Sequence, residues 1–246
     1  AALTALARDA CARLPLGRVA FEACALDAAS ALLTLLDRAA EIETALRDGD
    51  LDAARALCGM HLVSRDTRAL SAAEVAGATI ESVAENLSDG VIAPWLAFAL
   101  GGAPGAAAYR AANTLDSRWG YRDEEFEALG AASARLDDAL NLVPSRMTAL
   151  ALIGAAATDL DADARAAFTC WRSDAGRTAS PNAGQPMAAM AGALRVRLLK
   201  RDAYELGAAY RDPAPEDIGR AVRLARRAAL LLGAGLLGAL VTTGAR

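Results

Sequence analysis

Apolar residues recur at helical spacing along most of the chain, and residues 90–109 and 228–245 carry no charge at all. Both stretches approach the roughly 20 residues that a helix needs to cross a bilayer. Their glycine and alanine content suits close packing between membrane helices. A third uncharged run, residues 147–158, is too short to span a bilayer alone. The pattern predicts a chain of helices, some of which cross a membrane.

The segments between the apolar runs contain residues that typically end helices. Such interruptions occur at residues 15–17, 48–50, 144–146, 173–184 and 205–217. Between them we expect, among others, helices over residues 128–142, 159–172 and 187–199. No segment shows the alternation of a β-strand, and no repeat of fixed period occurs. The predicted fold class is all-α, a multi-helix integral membrane bundle with polar connecting loops, and we expect a single helical membrane domain over residues 1–246.

A basic flank precedes the last uncharged stretch. It consists of Arg220, Arg223, Arg226 and Arg227. Positively charged residues collect at the cytoplasmic ends of membrane helices. We therefore expect residues 228–245 to insert with these arginines on the cytoplasmic side.

Composition leaves the class between an alanine-rich helical protein and a modest membrane protein. Hydrophobic residues make up 54% of the 246 residues, aromatic residues only 4%, and the mean hydropathy is +0.23. The net charge of −4 and the pI near 5.2 give no basic footprint for nucleic acid. We expect no nucleic-acid partner. Lys200 is the only lysine. Apart from one histidine, all other basic residues are arginines.

Cysteine and histidine usage argues against several kinds of site. The four cysteines form no C-x-x-C pair, and they are Cys11, Cys24, Cys58 and Cys170. Neither a zinc site nor a redox motif is therefore indicated. His61 is the only histidine and has no partner at a suitable spacing, which leaves little room for Ser-His-Asp chemistry.

A stripe of polar residues lies just before the first uncharged stretch. Wound as a helix, Glu81, Glu85 and Ser88 share one face. Asp89 lies at the edge of this face and Asn86 further round. The stripe places carboxylates beside an apolar segment.

Two like charges one turn apart destabilise a helix by about 0.2–0.5 kcal/mol, so a positive group should lie near Glu81 and Glu85. A divalent cation or a cationic substrate would supply it, and so would Arg65 or Arg110. The alternative is a solvated acidic face beside a buried helix.

Nine motifs in order between residues 64 and 194 resemble one family closely. They are S-R-D-T at 64–67, T-I-E-S-V-A-E-N-L-S-D-G-V-I-A-P at 79–94, G-G-A-P-G-A at 101–106, N-T-L-D-S at 113–117, G-Y-R at 120–122, A-R-L-D-D at 134–138, N-L-V-P-S-R at 141–146, S-P-N-A-G at 180–184 and M-A-G-A-L at 190–194. The family is adenosylcobinamide-phosphate synthase, the integral membrane protein of cobalamin biosynthesis. The resemblance covers most of the chain from about residue 30 onward.

The resemblance implies a multi-pass helical protein of the bacterial or archaeal cytoplasmic membrane. Such enzymes are described as using ATP and Mg²⁺ to join the propionate carboxylate of adenosylcobyric acid to the amine of aminopropanol or its phosphate. The product is adenosylcobinamide or its phosphate. Implied partners are therefore a corrinoid substrate, the small amine and membrane lipid, with other cobalamin-pathway enzymes as further candidates.

This chemistry suggests roles for residues within the motifs. The expected catalytic residues are Glu81, Glu85, Asp89 and Asp116. Mg²⁺ prefers oxygen ligands, and the expected ligands are Glu81, Glu85, Asn86 and Asp89, with Asp116, Asp137 and Asp138 as second candidates. The expected substrate-binding residues are Arg65, Asp66, Asn113, Arg135, Asp138, Arg146, Ser180, Asn182 and Gly184. Among these, the arginines would meet phosphate or the corrin carboxylate, and residues 180–184 would form a backbone cradle.

The chain departs from the family pattern in two places. Family members usually begin with a further apolar helix and a G-D-P stretch before the region that matches Ala1, so we expect a domain that lacks that helix. They also commonly carry tryptophan in place of Gln185 and often histidine in place of Thr178. The resemblance therefore carries no stacking or proton-transfer role over to these two positions.

Two other classes remain open. One is a non-catalytic helical membrane scaffold for corrin enzymes. The other is a Mg²⁺-dependent membrane transferase of the CDP-alcohol or prenyl type, although Pro94 stands where the CDP-alcohol motif needs arginine. Convergence of the carboxylates on one cavity would favour an enzyme, and their dispersal over the outside would favour a scaffold.

Overall fold

A computed structural model describes residues 2–11, 16–119 and 127–243. Ten helices and one two-stranded hairpin form this described part of the chain. The elements are α1 (Ala2–Cys11), α2 (Gly17–Ala29), α3 (Leu32–Arg47), α4 (Leu51–His61), α5 (Ala72–Leu87), a π-helical turn (Ser88–Ile92), α6 (Ala93–Trp119), α7 (Glu127–Ala156), α8 (Ala164–Asp174), α9 (Gly184–Leu194), β1 (Leu198–Lys200), β2 (Tyr204–Leu206) and α10 (Pro215–Thr243). The G-Y-R motif at 120–122 lies outside the described residues.

The predicted all-α class of a membrane protein is confirmed. Among the described residues, four helical segments are long and apolar enough to cross a membrane, and they are Gly17–Arg47, Ala72–Ser117, Gly130–Ala156 and Pro215–Thr242.

The chain divides into two compact units. The first contains Ala1–Ala31, Asp89–Pro144 and Gly233–Arg246, and the second contains Leu32–Ser88 and Ser145–Leu232. The single domain expected over residues 1–246 stays a prediction.

The second unit is built around α5. This helix begins with a capping box, in which the Ser71 hydroxyl accepts from the amide of Glu74 and the Glu74 carboxylate accepts from the amide of Ser71. Every residue from Val75 to Ala84 is buried, and α3 and α9 both pack against this helix. The polar residues on this stretch are thus held inside protein rather than on an open face.

The expectation of no strands is wrong at one place. The helix predicted over residues 187–199 ends at Leu194, because Arg195 adopts a left-handed conformation with φ 53° that no helix continues. The chain then forms the antiparallel pair β1 and β2, in which Lys200 lies opposite Tyr204. Three residues per strand are too few to show a two-residue alternation in the sequence.

In the first unit, α6 does not continue straight. Gly102 has φ 60° and ψ −157°, which breaks the helix. Beyond the break the chain folds back on itself. The backbone at Gly105 lies so close to the preceding arm that a Cβ there would overlap the carbonyl oxygen of Ala97. The arm from residue 93 to residue 101 is about 14 Å long, less than half a bilayer. Residues 90–109, predicted as one near-spanning helix, therefore form most of a helical hairpin, which we call the 89–113 hairpin.

The expected break at Pro144 is also wrong. Pro144 lies inside α7, which runs from Glu127 to Ala156. Residues 147–158, judged too short to span a membrane alone, are mostly the second half of this longer helix. Membrane helices tolerate proline because neighbouring groups satisfy the freed carbonyl.

Candidate active site

Two of the predicted carboxylates line one polar cavity in the second unit. Glu81 and Glu85 lie one turn apart on α5 and both face this cavity of about 230 Å³. Its other walls come from the segment after α4 and from the β-hairpin. The lining residues are Leu62, Val63, Ser64, Arg65, Ala78, Glu81, Ser82, Glu85, Lys200 and Tyr204. Below we call it the Glu81 cavity.

Glu81 is the most deeply buried charged residue of this cavity. Only 5% of its surface is exposed. Its Oε2 lies 3.4 Å from Nη2 of Arg65, a predicted substrate-binding residue. Its Oε1 has no hydrogen-bond partner in the described part of the chain. A buried carboxylate oxygen without a partner is costly, so this oxygen is suited to meet a ligand that donates hydrogen bonds or carries positive charge.

The hairpin adds two residues that the sequence analysis did not assign to the site. Lys200 and Tyr204 face each other across β1 and β2, and the ammonium of Lys200 lies 6.0 Å from the centre of the Tyr204 ring. Burial, followed by the negative charges of Glu81 and Glu85, raises the pKa of the Tyr204 phenol. The hydroxyl therefore keeps its proton at neutral pH. The one available signal was that Lys200 is the only lysine in the chain.

Asn86, expected as a Mg²⁺ ligand, makes a local contact through its amide nitrogen. Its Nδ2 donates to the main-chain oxygen of Ser82 at 2.9 Å and to the Ser82 hydroxyl at 3.0 Å. Within residues 2–11, 16–119 and 127–243, no group of three or more histidine, cysteine or acidic side chains is arranged to hold a metal ion. The four-ligand Mg²⁺ site stays a prediction, and Glu81 and Glu85 are the two of its residues that line the cavity.

A second polar cluster lies in the first unit, beside the 89–113 hairpin. Asp137 on α7 accepts hydrogen bonds from the Nδ2 atoms of Asn113 and Asn141, at 3.1 and 3.0 Å. Arg110 donates to Oδ1 of Asn113 at 3.1 Å. The hydroxyl of Tyr109, which the sequence analysis did not single out, donates to Oδ1 of Asn141 at 2.9 Å. Below we call this the Asp137 network.

Three further predicted residues of the first unit, Asp89, Asp116 and Asp138, lie beside this network. Asp116 is within electrostatic range of Asp137 and Asp138. Asp89 contributes its main-chain oxygen, which lies 3.1 Å from the Tyr109 hydroxyl and shares its single proton with Oδ1 of Asn141. Asp89, Asp116 and Asp138, expected around the active site, thus belong to a different unit from Glu81 and Glu85.

Residues 180–184 fold as a compact loop whose amides are already used. The Ser180 hydroxyl accepts from the amides of Asn182 and Ala183, and the Thr178 hydroxyl accepts from the amide of Gly184. The expected backbone cradle therefore offers few unused amides. In the same loop, Oδ1 of Asn182 accepts a hydrogen bond from Nη1 of Arg146 at 3.2 Å.

Gln185 and Thr178, the two positions at which the chain departs from the family pattern, both form hydrogen bonds in the same region. Oε1 of Gln185 accepts from the indole of Trp171 at 2.8 Å. Thr178 donates to the main-chain oxygen of Ser180 at 2.7 Å, in addition to accepting from Gly184. Both residues thus support the loop that presents Asn182.

Two predicted substrate-binding residues lie apart from these clusters. Asp66 is exposed, and its hydrogen bonds with Arg68, at distances down to 2.7 Å, lower the pKa of the Asp66 carboxyl to about 2. Arg135 is exposed on α7. The structure therefore brings Arg65, Glu81 and Glu85 together and leaves Asp66 engaged with a neighbour.

Comparison with known proteins identifies the family. The family described as CobD/Cbib protein matches residues 1–225 of the chain. A relative from Chromobacterium violaceum, named "Cobalamin biosynthesis protein CobD", is 46% identical over 250 residues, which cover 98% of this chain and 77% of the relative.

Relatives with the same name from Klebsiella pneumoniae and Rhodobacter capsulatus are each 43% identical, over 198 and 206 residues. Those matches cover 77% and 80% of this chain but only 61% and 64% of the relatives, so the chain spans less than two thirds of their length. No solved structure matches the chain. On the family match and these identities, the chain belongs to the CobD/Cbib protein family.

Proposed function

We propose that this chain acts in cobalamin biosynthesis as an ATP-dependent amide ligase of the adenosylcobinamide-phosphate synthase type, within the cytoplasmic membrane of a bacterium or archaeon. It would join the propionate carboxylate of adenosylcobyric acid to the amine of aminopropanol or aminopropanol phosphate. Family membership and the names of the relatives support the pathway. The observation that carries the reaction class is the Glu81 cavity, where a carboxylate pair faces two cationic side chains.

The carboxylate wall suits an amine substrate. An ammonium ion donates hydrogen bonds and carries positive charge, which is what the unpartnered Oε1 of Glu81 and the neighbouring Glu85 require. To attack a carbonyl carbon, the ammonium must lose a proton, and the nitrogen loses a second proton as the C–N bond forms. Glu81 and Glu85 are placed to hold the amine and accept these protons.

The cationic wall suits an anionic group. Arg65 and Lys200 line the same cavity as the two glutamates. Either cation can bind the phosphate of the amine substrate or the carboxylate of the corrinoid. The Tyr204 hydroxyl, whose proton points to the weak acceptor Sδ of Met187 at 3.8 Å, is a further hydrogen-bond donor of the cavity. Binding both ends of the reacting pair would lower the entropic cost of bringing them together.

The donor set of the cavity fits Mg²⁺ bound together with a nucleotide. Mg²⁺ commonly binds through one or two carboxylates and completes its shell with water and substrate phosphates. One of the two carboxylates, Glu85 or Glu81 with its unpartnered Oε1, can ligate the ion while the other holds the amine. Bound ATP would supply the activation that turns a carboxylate into an acyl donor. Arg146, held beside Asn182 and Ser145, is a further cation that we assign to phosphate binding.

The placement of the carboxylates also bears on the scaffold alternative. A scaffold has no need of a buried carboxylate oxygen without a partner. The side chains of Glu81 and Glu85 line one cavity and are not dispersed over the outer surface of the protein. This arrangement favours an enzyme over a scaffold.

An amidation assay tests the proposal. Purified protein in detergent is given adenosylcobyric acid, ATP, Mg²⁺ and either aminopropanol or its phosphate, and the corrin product is followed by mass. We expect a product that requires ATP and Mg²⁺ and is lost in Glu85→Gln. Glu41→Gln is the matched control, because Glu41 is exposed on α3 and pairs with Arg38. Absence of product from the folded chain, or full activity in Glu85→Gln, would contradict the proposal.

A further inference from the structure

One end of the second unit marks where two candidate spans leave the membrane. The segment Gly130–Ala156 ends together with α7 at Ala156, and its Gly154 lies next to Leu231 of α10. Just beyond, Nη1 of Arg227 donates to the main-chain oxygen of Thr158 at 2.9 Å and lies 3.1 Å from the Asp159 carboxylate. The end of α7 and the start of the uncharged run of α10 are therefore level with each other.

Charged residues follow immediately after this level. Nη2 of Arg223 lies 3.4 Å from the carboxylate of Asp161, and Arg220 donates to the main-chain oxygen of the same residue. Three of the four arginines of the predicted basic flank thus bind the turn at residues 158–161. Charged side chains bound to a turn at the end of two apolar helices indicate the edge of the bilayer.

The short helix α8 starts only a few residues beyond this edge. Its N-cap is Asp163, whose carboxylate accepts from the amide of Ala166 at 2.8 Å. One face of α8 is packed against α9, and its buried residues are Ala166, Ala167, Cys170 and Asp174. The approach is close, since a Cβ on Gly192 of α9 would overlap the main chain of Ala166.

The opposite face of α8 combines an aromatic ring with two cations. Arg165, Phe168 and Arg172 fall at helical spacing on this face and are all exposed. Phe168 is 49% exposed and lies 5.9 Å from the ring of Trp171, while Leu160 in the preceding turn is fully exposed. Neither guanidinium forms an ion pair in the part of the chain that the structure describes.

We propose that α8 lies along the membrane surface, with Phe168 and Leu160 in the boundary between headgroups and acyl chains and with Arg165 and Arg172 bound to the phosphates of anionic lipids. An amphipathic helix with this arrangement binds at an interface through its apolar area and its attraction to anionic lipid. Lipid is favoured over a protein partner because the face begins at the level where α7 and α10 leave the membrane. The inference is independent of the proposed ligase activity.

A fluorescence reporter tests the depth of this face. In a variant in which Trp95, Trp119 and Trp171 are replaced by phenylalanine, Phe168→Trp supplies the only indole, and Met60→Trp, at an exposed position of α4, supplies a comparison. The full chain is reconstituted in vesicles containing phosphatidylglycerol and brominated phosphatidylcholine. We expect bromine near the headgroups to quench the reporter at position 168 at least about twofold more than the one at position 60. If aqueous acrylamide quenches the reporter at position 168 and brominated lipid does not, the proposal is overturned. The face would then be a binding surface for a protein partner.

Charge variants test the lipid phosphates. Arg165→Gln with Arg172→Gln removes both cations, and Arg165→Lys with Arg172→Lys keeps them. Because both side chains are exposed, circular dichroism should show the same helix content in each. We expect quenching at position 168 to rise with phosphatidylglycerol content in the parent and in the lysine variant, and to be insensitive to it in the glutamine variant. Equal quenching of the parent in neutral and anionic vesicles would overturn the assignment of the two arginines.

Discussion

The hydroxyl of Tyr109 donates a hydrogen bond to the main-chain oxygen of Asp89, 3.1 Å away and twenty residues earlier in the chain. In a straight helix these residues would be about 30 Å apart. The contact therefore requires the chain to reverse between them, which it does at Gly102. The hairpin brings Asn113 back towards the level of Asp89 and next to Asp137 of α7.

Removing this hydroxyl should weaken the first unit. Tyr109→Phe loses the hydrogen bonds to Asp89 and Asn141 and leaves Oδ1 of the buried Asn141 without that donor. We expect the free energy of unfolding in detergent to fall by about 1–3 kcal/mol, measured by thermal unfolding. Tyr210→Phe is the control, because the Tyr210 side chain is only partly buried. Equal Tm values for Tyr109→Phe and the parent would contradict the role of the hydroxyl.

The closure of the hairpin depends on a glycine. A Cβ at Gly105 would overlap the carbonyl of Ala97 in the facing arm, whereas a Cβ at Gly101 meets no atom within 4 Å. Gly105→Ala should cost about 1–3 kcal/mol through overpacking, and Gly101→Ala, the same chemical change, should cost little. Chemical denaturation of the two variants in parallel checks this. If both lose the same stability, the arms are not in the close contact described.

The stability of α8 should depend on pH through its N-cap. The amide of Ala166, followed by Arg195, lowers the pKa of the Asp163 carboxyl below that of an ordinary aspartate. The ionised carboxylate therefore stabilises the folded state at pH values above the ordinary aspartate pKa of about 3.9. This contribution is lost as the pH falls through the lower pKa that Asp163 has in the folded protein. Asp163→Ala should lower the Tm at pH 7, and the difference from the parent should shrink below pH 4.

The matched control for this N-cap prediction is Asp163→Asn. Asparagine also caps helices but does not titrate, so this variant should keep most of the Tm without the pH dependence. A difference between the parent and Asp163→Ala that is constant from pH 7 to pH 3 would show that the charge of Asp163 contributes nothing.

Lys200 offers a test of the cationic wall. Under the proposed function, Lys200→Gln weakens binding of an anionic substrate group, so KM should rise by about tenfold or more with a smaller change in kcat. Arg201→Gln is the neighbouring control, since Arg201 pairs with Glu74 and does not line the Glu81 cavity. Steady-state kinetics with the phosphorylated and the free amine would also show which group Lys200 binds. An unchanged KM for both amines would remove Lys200 from the site.

Local spacing predicted the two carboxylates and Arg65 but could not predict the residues that the β-hairpin adds to the cavity. Glu81 and Glu85 stood out because an i,i+4 pair of like charges on an otherwise apolar helix needs an explanation, and Arg65 was named as one compensating group. Lys200 and Tyr204 lie more than a hundred residues after Glu85 in the sequence, on strands of only three residues. Strands that short carry no periodicity, so only the fold places them opposite α5.

The errors in the helices have a similar origin. Gly101 and Gly102 lie in an apolar run, where small residues are also typical of close helix packing. The sequence pattern did not distinguish that use from a reversal, which depends on the φ of Gly102. Pro144 illustrates the opposite error, since a residue that usually ends a soluble helix stays inside α7. In both cases tertiary packing overrides the conformation that the local sequence predicts.

In the proposed reaction, the paired carboxylates of the Glu81 cavity hold the amine and accept its protons. The most direct test of this role is the rate of ATP-dependent amidation by Glu81→Gln, which keeps the shape of the side chain and removes the carboxylate. We expect kcat/KM to fall by about a hundredfold or more, with Glu41→Gln at the parent value and both variants folded. A folded Glu81→Gln that ligates at the rate of the parent would contradict the account.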